Sequence, residues 1–237
     1  MFKRLSVGAL ALVLAACIAP KPRHPIPQVP GELAPPPGLA VPGRAFRIDE
    51  NQSELRILVY RAGPLARLGH NHVMVNRAIH GTVLLADAKG ASSFQLKVPA
   101  AAFVVDELQA RRDEGADFAA EISDDARSGT LHNMLSTAVL DADEFPEITV
   151  DCVAAPDAQD LPGGAPLTAS VEVSVAGHVS TFDVPVTLEV DPNRLSATGS
   201  LELRQSALGL TPYSLMLGAL QVQDALKIKF DIVAVQG

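Results

Sequence analysis

Four successive stretches in the second half of the chain alternate apolar and polar residues with a period of two. Val171, Val173 and Val175 alternate with Ser170, Glu172 and Ser174. Phe182, Val184, Val186, Leu188 and Val190 alternate with Asp183, Pro185, Thr187 and Glu189. Leu195, Ala197, Gly199, Leu201 and Leu203 alternate with Ser196, Thr198, Ser200, Glu202 and Arg204. Leu226, Ile228, Phe230 and Ile232 alternate with Lys227, Lys229 and Asp231. Successive side chains of a strand point to opposite faces, so this pattern predicts antiparallel strands with one wet and one buried face. Asp191-Pro192-Asn193 and Ala176-Gly177-His178 are turn sequences at hairpin spacing. The first half predicts further strands near 44–49, 53–62, 73–86 and 91–98, giving about eight in all.

Residues 105–142 break this rhythm. They are rich in Asp, Glu, Ala and Arg, and Ile122, Met134, Leu135 and Val139 recur at helix-like spacing. Asp113-Glu114 and Ser123-Asp124-Asp125 suit helix starts, because their side-chain oxygens can accept the unpaired N–H groups of a first turn. One or two short helices are therefore expected between strands. The fold class is mainly β: a single domain over 44–237, an antiparallel barrel with one inserted helical segment as a plug or lid.

The N-terminus carries a different pattern. Lys3 and Arg4 precede an apolar run from Leu5 to Ala16 in which Ser6 is the one polar side chain. That run is shorter than the ~20 residues needed to span a bilayer. A basic stub, a short apolar run and a small-residue cleavage site form an export signal, here residues 1–16. The run leads directly into Leu14-Ala15-Ala16-Cys17, which resembles the lipobox of bacterial lipoproteins, so Cys17 is expected to be lipidated and to become the N-terminus. Two or three acyl chains hold a membrane far more firmly than one. Ile18 and Ala19 replace the aspartate of an inner-membrane retention signal, which makes the outer membrane, periplasmic side, the expected location. Residues 17–43 then read as a tether: nine of the residues from 20 to 42 are proline, a composition that favours extended polyproline. His24 lies in it.

Removal of Lys3 and Arg4 with the signal lowers the formal net charge from −8 to −10. Such an acidic chain lacks the basic footprint of a nucleic-acid binder. With Cys17 given to lipid, Cys152 is the one remaining cysteine, so no internal disulfide can form. Cys152 lies within an apolar strand and is expected to be a small core residue.

A family resemblance rests on an ordered set of segments. Phe46-Arg47-Ile48-Asp49 with Ser53-Glu54-Leu55 and Ala78-Ile79-His80-Gly81-Thr82-Val83 open like the YceI-like family. Val139-Leu140-Asp141-Ala142-Asp143-Glu144-Phe145-Pro146-Glu147-Ile148 is similar to its central signature. Leu167-Thr168 through Gly177, then Val179 and Val184-Pro185-Val186, resemble its paired strands. Ala197-Thr198-Gly199 through Leu208-Gly209-Leu210, with Val222 to Ile228, resembles its end. The resemblance implies a lipocalin-like, extended antiparallel β-barrel of about eight strands that binds a long isoprenoid, a quinone or another amphiphilic lipid. The inward positions are mostly Val, Leu, Ile and Ala, which fits either a filled or a hollow barrel.

The sequence departs from the plainer family pattern at Gly69-His70-Asn71-His72-Val73 and resembles a subset with a Gly-His-x-His element. His70 and His72, two apart on a strand, would project from one face, and His178 is a candidate third partner. Three roles are open for His70, His72 and His178: surface turn residues, polar contacts to a ligand head group, or, for His70 and His72, weak metal or haem ligands. His80 and His132 are assigned no role. No nucleophile elbow, phosphate loop, Cys-x-x-Cys or His-Glu-x-x-His is present, and the carboxylate runs read as solvated faces, so no enzyme is expected. The expected partners are an apolar small molecule or lipid and a membrane; the oligomeric state is open, a homodimer included. The alternatives to a lipid binder are a metal- or haem-associated periplasmic protein and a structural lipoprotein with a filled barrel.

Overall fold

In the computed structural model the described residues are 41–89, 91–154 and 164–237. The predicted signal, Cys17, His24 and the tether up to residue 40 lie outside them. The chain runs through β1 (Gly43–Ile48), β2 (Glu54–Ala62), β3 (His72–Asn76), β4 (His80–Ala86), β5 (Ser93–Pro99) and β6 (Val104–Val105). Helices α1 (Leu108–Asp113) and α2 (Asp124–Leu135) follow. The second half is β7 (Glu147–Ala154), β8 (Ala165–Val175), β9 (His178–Val190), β10 (Arg194–Arg204), β11 (Ser214–Leu215) and β12 (Leu220–Gln236).

Every pairing is antiparallel. Neighbours run β1-β4-β5-β7-β8-β9-β10-β12, and β12 pairs back onto β1 through Phe46↔Gln236 and Ile48↔Ala234. This closes an eight-stranded barrel and removes its sheet edges. The length of β12 makes a second branch possible. Its C-terminal end pairs with β1, while Gln221 to Asp231 pair with β2, which carries β3 and β6 beyond it. A register shift between Val222 and Leu226 bends β12 at the end of the barrel where β2 finishes and β3 begins.

The four alternating stretches form β8, β9, β10 and β12 as the pattern required. The stretch 73–86 differs: it is two strands, β3 and β4, separated at residues 77–79. The cause is Asn76, which is fully buried and uses its side chain to replace ladder bonds. Its Nδ2 donates to the Pro99 carbonyl at 2.8 Å, and its Oδ1 accepts from the Ala78 N–H at 3.0 Å. The insertion holds two helices, but only one of the expected starts is used: Asp113 is the last residue of α1 and Glu114 its C-cap, so this acidic pair ends a helix instead of opening one. Ser123 caps α2 by accepting from the Ala126 N–H, with Asp124 and Asp125 in the first turn.

Apolar side chains gather in three clusters. One lies inside the barrel around Phe46, Ile79, Leu85, Val98 and Phe103. A second, with Leu58, Val73, Val75, Ala110 and Phe118, lies between the outer face of β2–β3 and α1. The third, with Ala100, Leu140, Val175 and Leu208, sits at the barrel end beside α2. Cys152 is half-buried rather than fully enclosed, because the β7–β8 pairing shifts register next to it; burial pushes its thiol pKa up.

Candidate ligand-binding cavity

The inward residues of the long strands do not meet across the barrel. They surround a cavity of about 620 Å³, within the ~300–1,000 Å³ of small-molecule sites. Its wall repeats the alternation of the sequence: Val171, Val173 and Val175 from β8, Leu201 from β10, and Ile228 and Ile232 from β12. Several of these wall residues, among them Val173, Ile228 and Ile232, are only half-buried although they point inward. The cavity runs the length of the barrel. Tyr213 and His72 mark one end, and Ser92 and Ser93, in the β4–β5 connection, mark the other. Ala126, Thr130, Asn133 and Met134, one face of α2, form part of its roof, so the second helix of the insertion covers the cavity while α1 packs on the outer face of β2–β3.

Polar groups concentrate at the lidded end. His70, His72, Thr130, Asn133, Tyr213 and Gln221 border the cavity there. His70 and His72 are brought together, with ring centroids 6.4 Å apart. His72 is held from behind: its Nδ1 lies 2.6 Å from Asp106 Oδ2. Asp106 is fully buried and also accepts from the Val73 N–H at 3.0 Å and from the Arg111 guanidinium. Burial raises the Asp106 carboxyl pKa, but the His72 hydrogen bond and charge, the Val73 N–H and Arg111 outweigh it and hold the group below its ordinary value. An ionised Asp106 fixes the His72 proton on Nδ1 and leaves Nε2 as an acceptor when the ring is neutral and a donor when it is charged.

Arg111 is itself buried and spans the junction. It donates to the Asn71 carbonyl at 2.8 Å and to the Ala120 carbonyl at 3.0 Å, and lies over the Phe118 ring. Asp106 takes a left-handed backbone conformation (φ 55°) between β6 and α1, which aims its carboxylate back under β3. Nothing in the sequence marks Asp106 or Arg111: both fall in a stretch that reads as a solvated helical segment, and the separation of 34 positions between His72 and Asp106 hides their contact. Tyr213, Thr130 and Asn133 carried no signal either, since an isolated polar residue gives no period.

His178 is not part of this cluster. It is the first residue of β9 rather than a turn residue, it is exposed, and its ring lies against Gly209. A Cβ on Gly209 would fall 2.4 Å from the ring, and Gly209 has φ 78°, so both the ring and the turn demand glycine there. Among the described residues no group of three or more His, Cys, Asp or Glu is arranged to hold a metal ion. His80 faces the Ala78 carbonyl and Glu147, and His132 lies in the last turn of α2.

The solved structure of BcnA from Burkholderia cenocepacia is similar, with 19% identity, a TM-score of 0.55, and coverage of 78% of this chain and 98% of that one. A polyisoprenoid binding domain from Saccharophagus degradans is similar at 12% identity and a TM-score of 0.56, over 82% of this chain and 99% of that one. At these identities the likeness is one of fold. A comparison with curated proteins found no match. The family described as YceI-like domain matches residues 46–234, nearly the whole barrel. With the closed eight-stranded barrel and its lidded cavity, that match places this chain in the YceI-like domain family.

Proposed function

We propose that this protein is a lipid-anchored envelope protein that binds one isoprenoid chain, or a comparable amphiphilic lipid such as a quinone, lengthwise in its barrel. The observation that carries this reading is the cavity of about 620 Å³ with a predominantly apolar wall. Each methylene transferred from water into such a wall is favourable by ~0.8 kcal/mol, so a long chain gains affinity along its length. The polar end supplies orientation: His72 Nε2, Tyr213 and Gln221 can bond a hydroxyl, carbonyl or phosphate while the tail fills the barrel. The polyisoprenoid-binding description of the Saccharophagus degradans domain supports the same ligand class. The role is binding and carriage rather than catalysis, and the Cys17 anchor with its proline tether would keep the barrel near the outer membrane.

Mass spectrometry of solvent extracts from the purified protein tests the ligand. A long-chain lipid at near-stoichiometric amounts is expected, and Ala197→Phe, which fills the cavity from β10, is expected to lower its amount without unfolding the barrel. Protein that carries no lipid and takes up none from added polyprenol would overturn the reading; bound metal in place of lipid would favour the histidine-centred alternative. Incorporation of labelled palmitate, lost in Cys17→Ser, tests the anchor.

A further inference from the structure

We infer that the cavity mouth docks on a lipid bilayer through an apolar tip, Leu215-Met216-Leu217 with Leu68, and that cargo enters and leaves there. The docking stands on its own observations; the exchange of cargo rests on the proposed lipid ligand.

The tip is the turn between β11 and β12. Leu217 is fully exposed and Met216 is 73% exposed, beside Leu68 at 64%. A folded chain normally turns such side chains inward, and here the backbone is held against its preference to keep them out. Met216, Leu217 and Gly218 have φ of 51°, 57° and 87°, a left-handed run that only the glycine adopts without strain. The surrounding frame imposes it. The Leu65 N–H donates to the Ala219 carbonyl at 2.8 Å, and Gly63 packs so close that a Cβ would lie 2.6 Å from the same oxygen. The β2–β3 and β11–β12 connections are thereby fastened into one rigid lip.

The lip is continuous with the cavity: Leu68 and Leu215 belong both to the exposed apolar tip and to the cavity wall. An apolar molecule leaving the barrel would pass from wall to lip without crossing water, which is an advantage only where the lip faces hydrocarbon.

Charge distribution identifies the occupant. The chain has an excess of carboxylates, yet residues 55–86 contain none, and residues 205–223 contain no charged side chain at all. Within the two connections of the lip, the one formal charge is Arg67, which is exposed next to Leu68. Apolar side chains at a tip with a cation beside them, on connections that carry no carboxylate of their own, match an interface of acyl chains under anionic headgroups. The mouth histidine His70 lies on the same connection, where it can meet headgroup phosphate.

The chain contains no tryptophan, so Leu217→Trp places a single reporter at the tip of the full-length protein. Val153→Trp is the control, an exposed position near the opposite end of the barrel. Vesicles of phosphatidylethanolamine and phosphatidylglycerol, with and without brominated acyl chains, are added to each. The expected result is a blue-shifted Leu217→Trp emission that brominated chains quench, with Val153→Trp unquenched, whether or not lipid fills the cavity. Leu217→Asp with Met216→Asp should slow transfer of fluorescent polyprenol from vesicles by about tenfold, with the amount bound at saturation unchanged. Equal quenching at both positions, or none at Leu217→Trp, would overturn the docking. A blue shift that grows with protein concentration and needs no vesicles would overturn it in favour of a second copy covering the tip. Loss of polyprenol binding with quenching intact would sink the ligand reading and leave the docking in place.

Discussion

The two faces of the β2–β3 pair are built from the same kinds of residue and have opposite fates. Leu55, Ile57, Val59 and Met74 face the cavity, and Leu55, Ile57 and Val59 remain half-buried. Leu58, Val73 and Val75, one position away, are sealed against Ala110 and Phe118, with the Tyr60 ring 5.5 Å from the Phe118 ring. The difference comes from what covers each face. On the outside a helix lies directly on the strands and is fastened by ion pairs: Arg56 to Asp113 at 3.0 Å, and Lys229 to Glu114 at 2.5 Å. On the inside the opposing wall stands across a closed barrel, too far for aliphatic side chains of this size to meet. Apolar alternation thus specifies which way side chains point, and the covering element decides whether they pack or line a space.

The largest effect should come from the outer face. Arg111→Met would remove the guanidinium that partners a fully buried Asp106, and breaking a buried pair from one side costs about 3–5 kcal/mol. The midpoint of denaturant unfolding should fall accordingly; an unchanged midpoint would mean the buried pair does not hold the flank. The same site sets a pH limb. The folded-state pKa of Asp106 is lowered, so its contribution is fully present above the unfolded value of about 3.9 and is lost as pH falls through the lower folded value. Stability should therefore decline below about pH 4, and Asp106→Asn, though less stable at neutral pH, should show a shallower acid limb.

What could be read from the sequence follows from this division. β8, β9, β10 and β12 were legible because each repeats a period of two along a whole strand with one wet face. The β3–β4 break was not, because it depends on Asn76 reaching Pro99 on another strand. Residues of the cavity wall could be named one by one, since Val171, Val184, Leu201 and Ile228 all fall on the predicted inward register. Whether the wall enclosed space could not be read, because hollow and filled barrels share one alternation. Of the histidines, His72 opens β3 but His70 lies in the connection before it, so a strand spacing of two does not account for both bordering the cavity; His178 stands apart, exposed at the start of β9.

A paired truncation sharpens the contrast between the faces. Leu58→Ala, in the packed outer cluster, should cost about 2–5 kcal/mol, since the lost contacts leave a new cavity. Ile228→Ala, on the half-buried inner wall, should cost about 1 kcal/mol in lipid-free protein, because the space beside it is already open. With cargo bound, the Ile228→Ala cost should rise, as its methyl groups then contact the ligand. Equal costs in lipid-free protein would show that the inner wall collapses inward in solution.

A small effect, comparable to that of Ile228→Ala, is expected at the residue that joins the faces. His72 borders the cavity with its ring and reaches Asp106 with Nδ1, so its replacement touches both sides at once. His72→Leu would leave Asp106 Oδ2 without that partner, while Oδ1 keeps the Val73 N–H and Arg111. Loss of one such bond to a buried charged group costs about 1–3 kcal/mol, and the remaining partners place this case near the lower end. Ligand binding should respond differently from stability. A lipid with a hydroxyl or phosphate head should lose affinity through the missing Nε2, whereas a pure hydrocarbon of the same length should bind as before. If both lipids weaken together, His72 acts by holding the rim in shape; if the stability loss equals that of Arg111→Met, the two faces of the strand pair do not behave as separate structures.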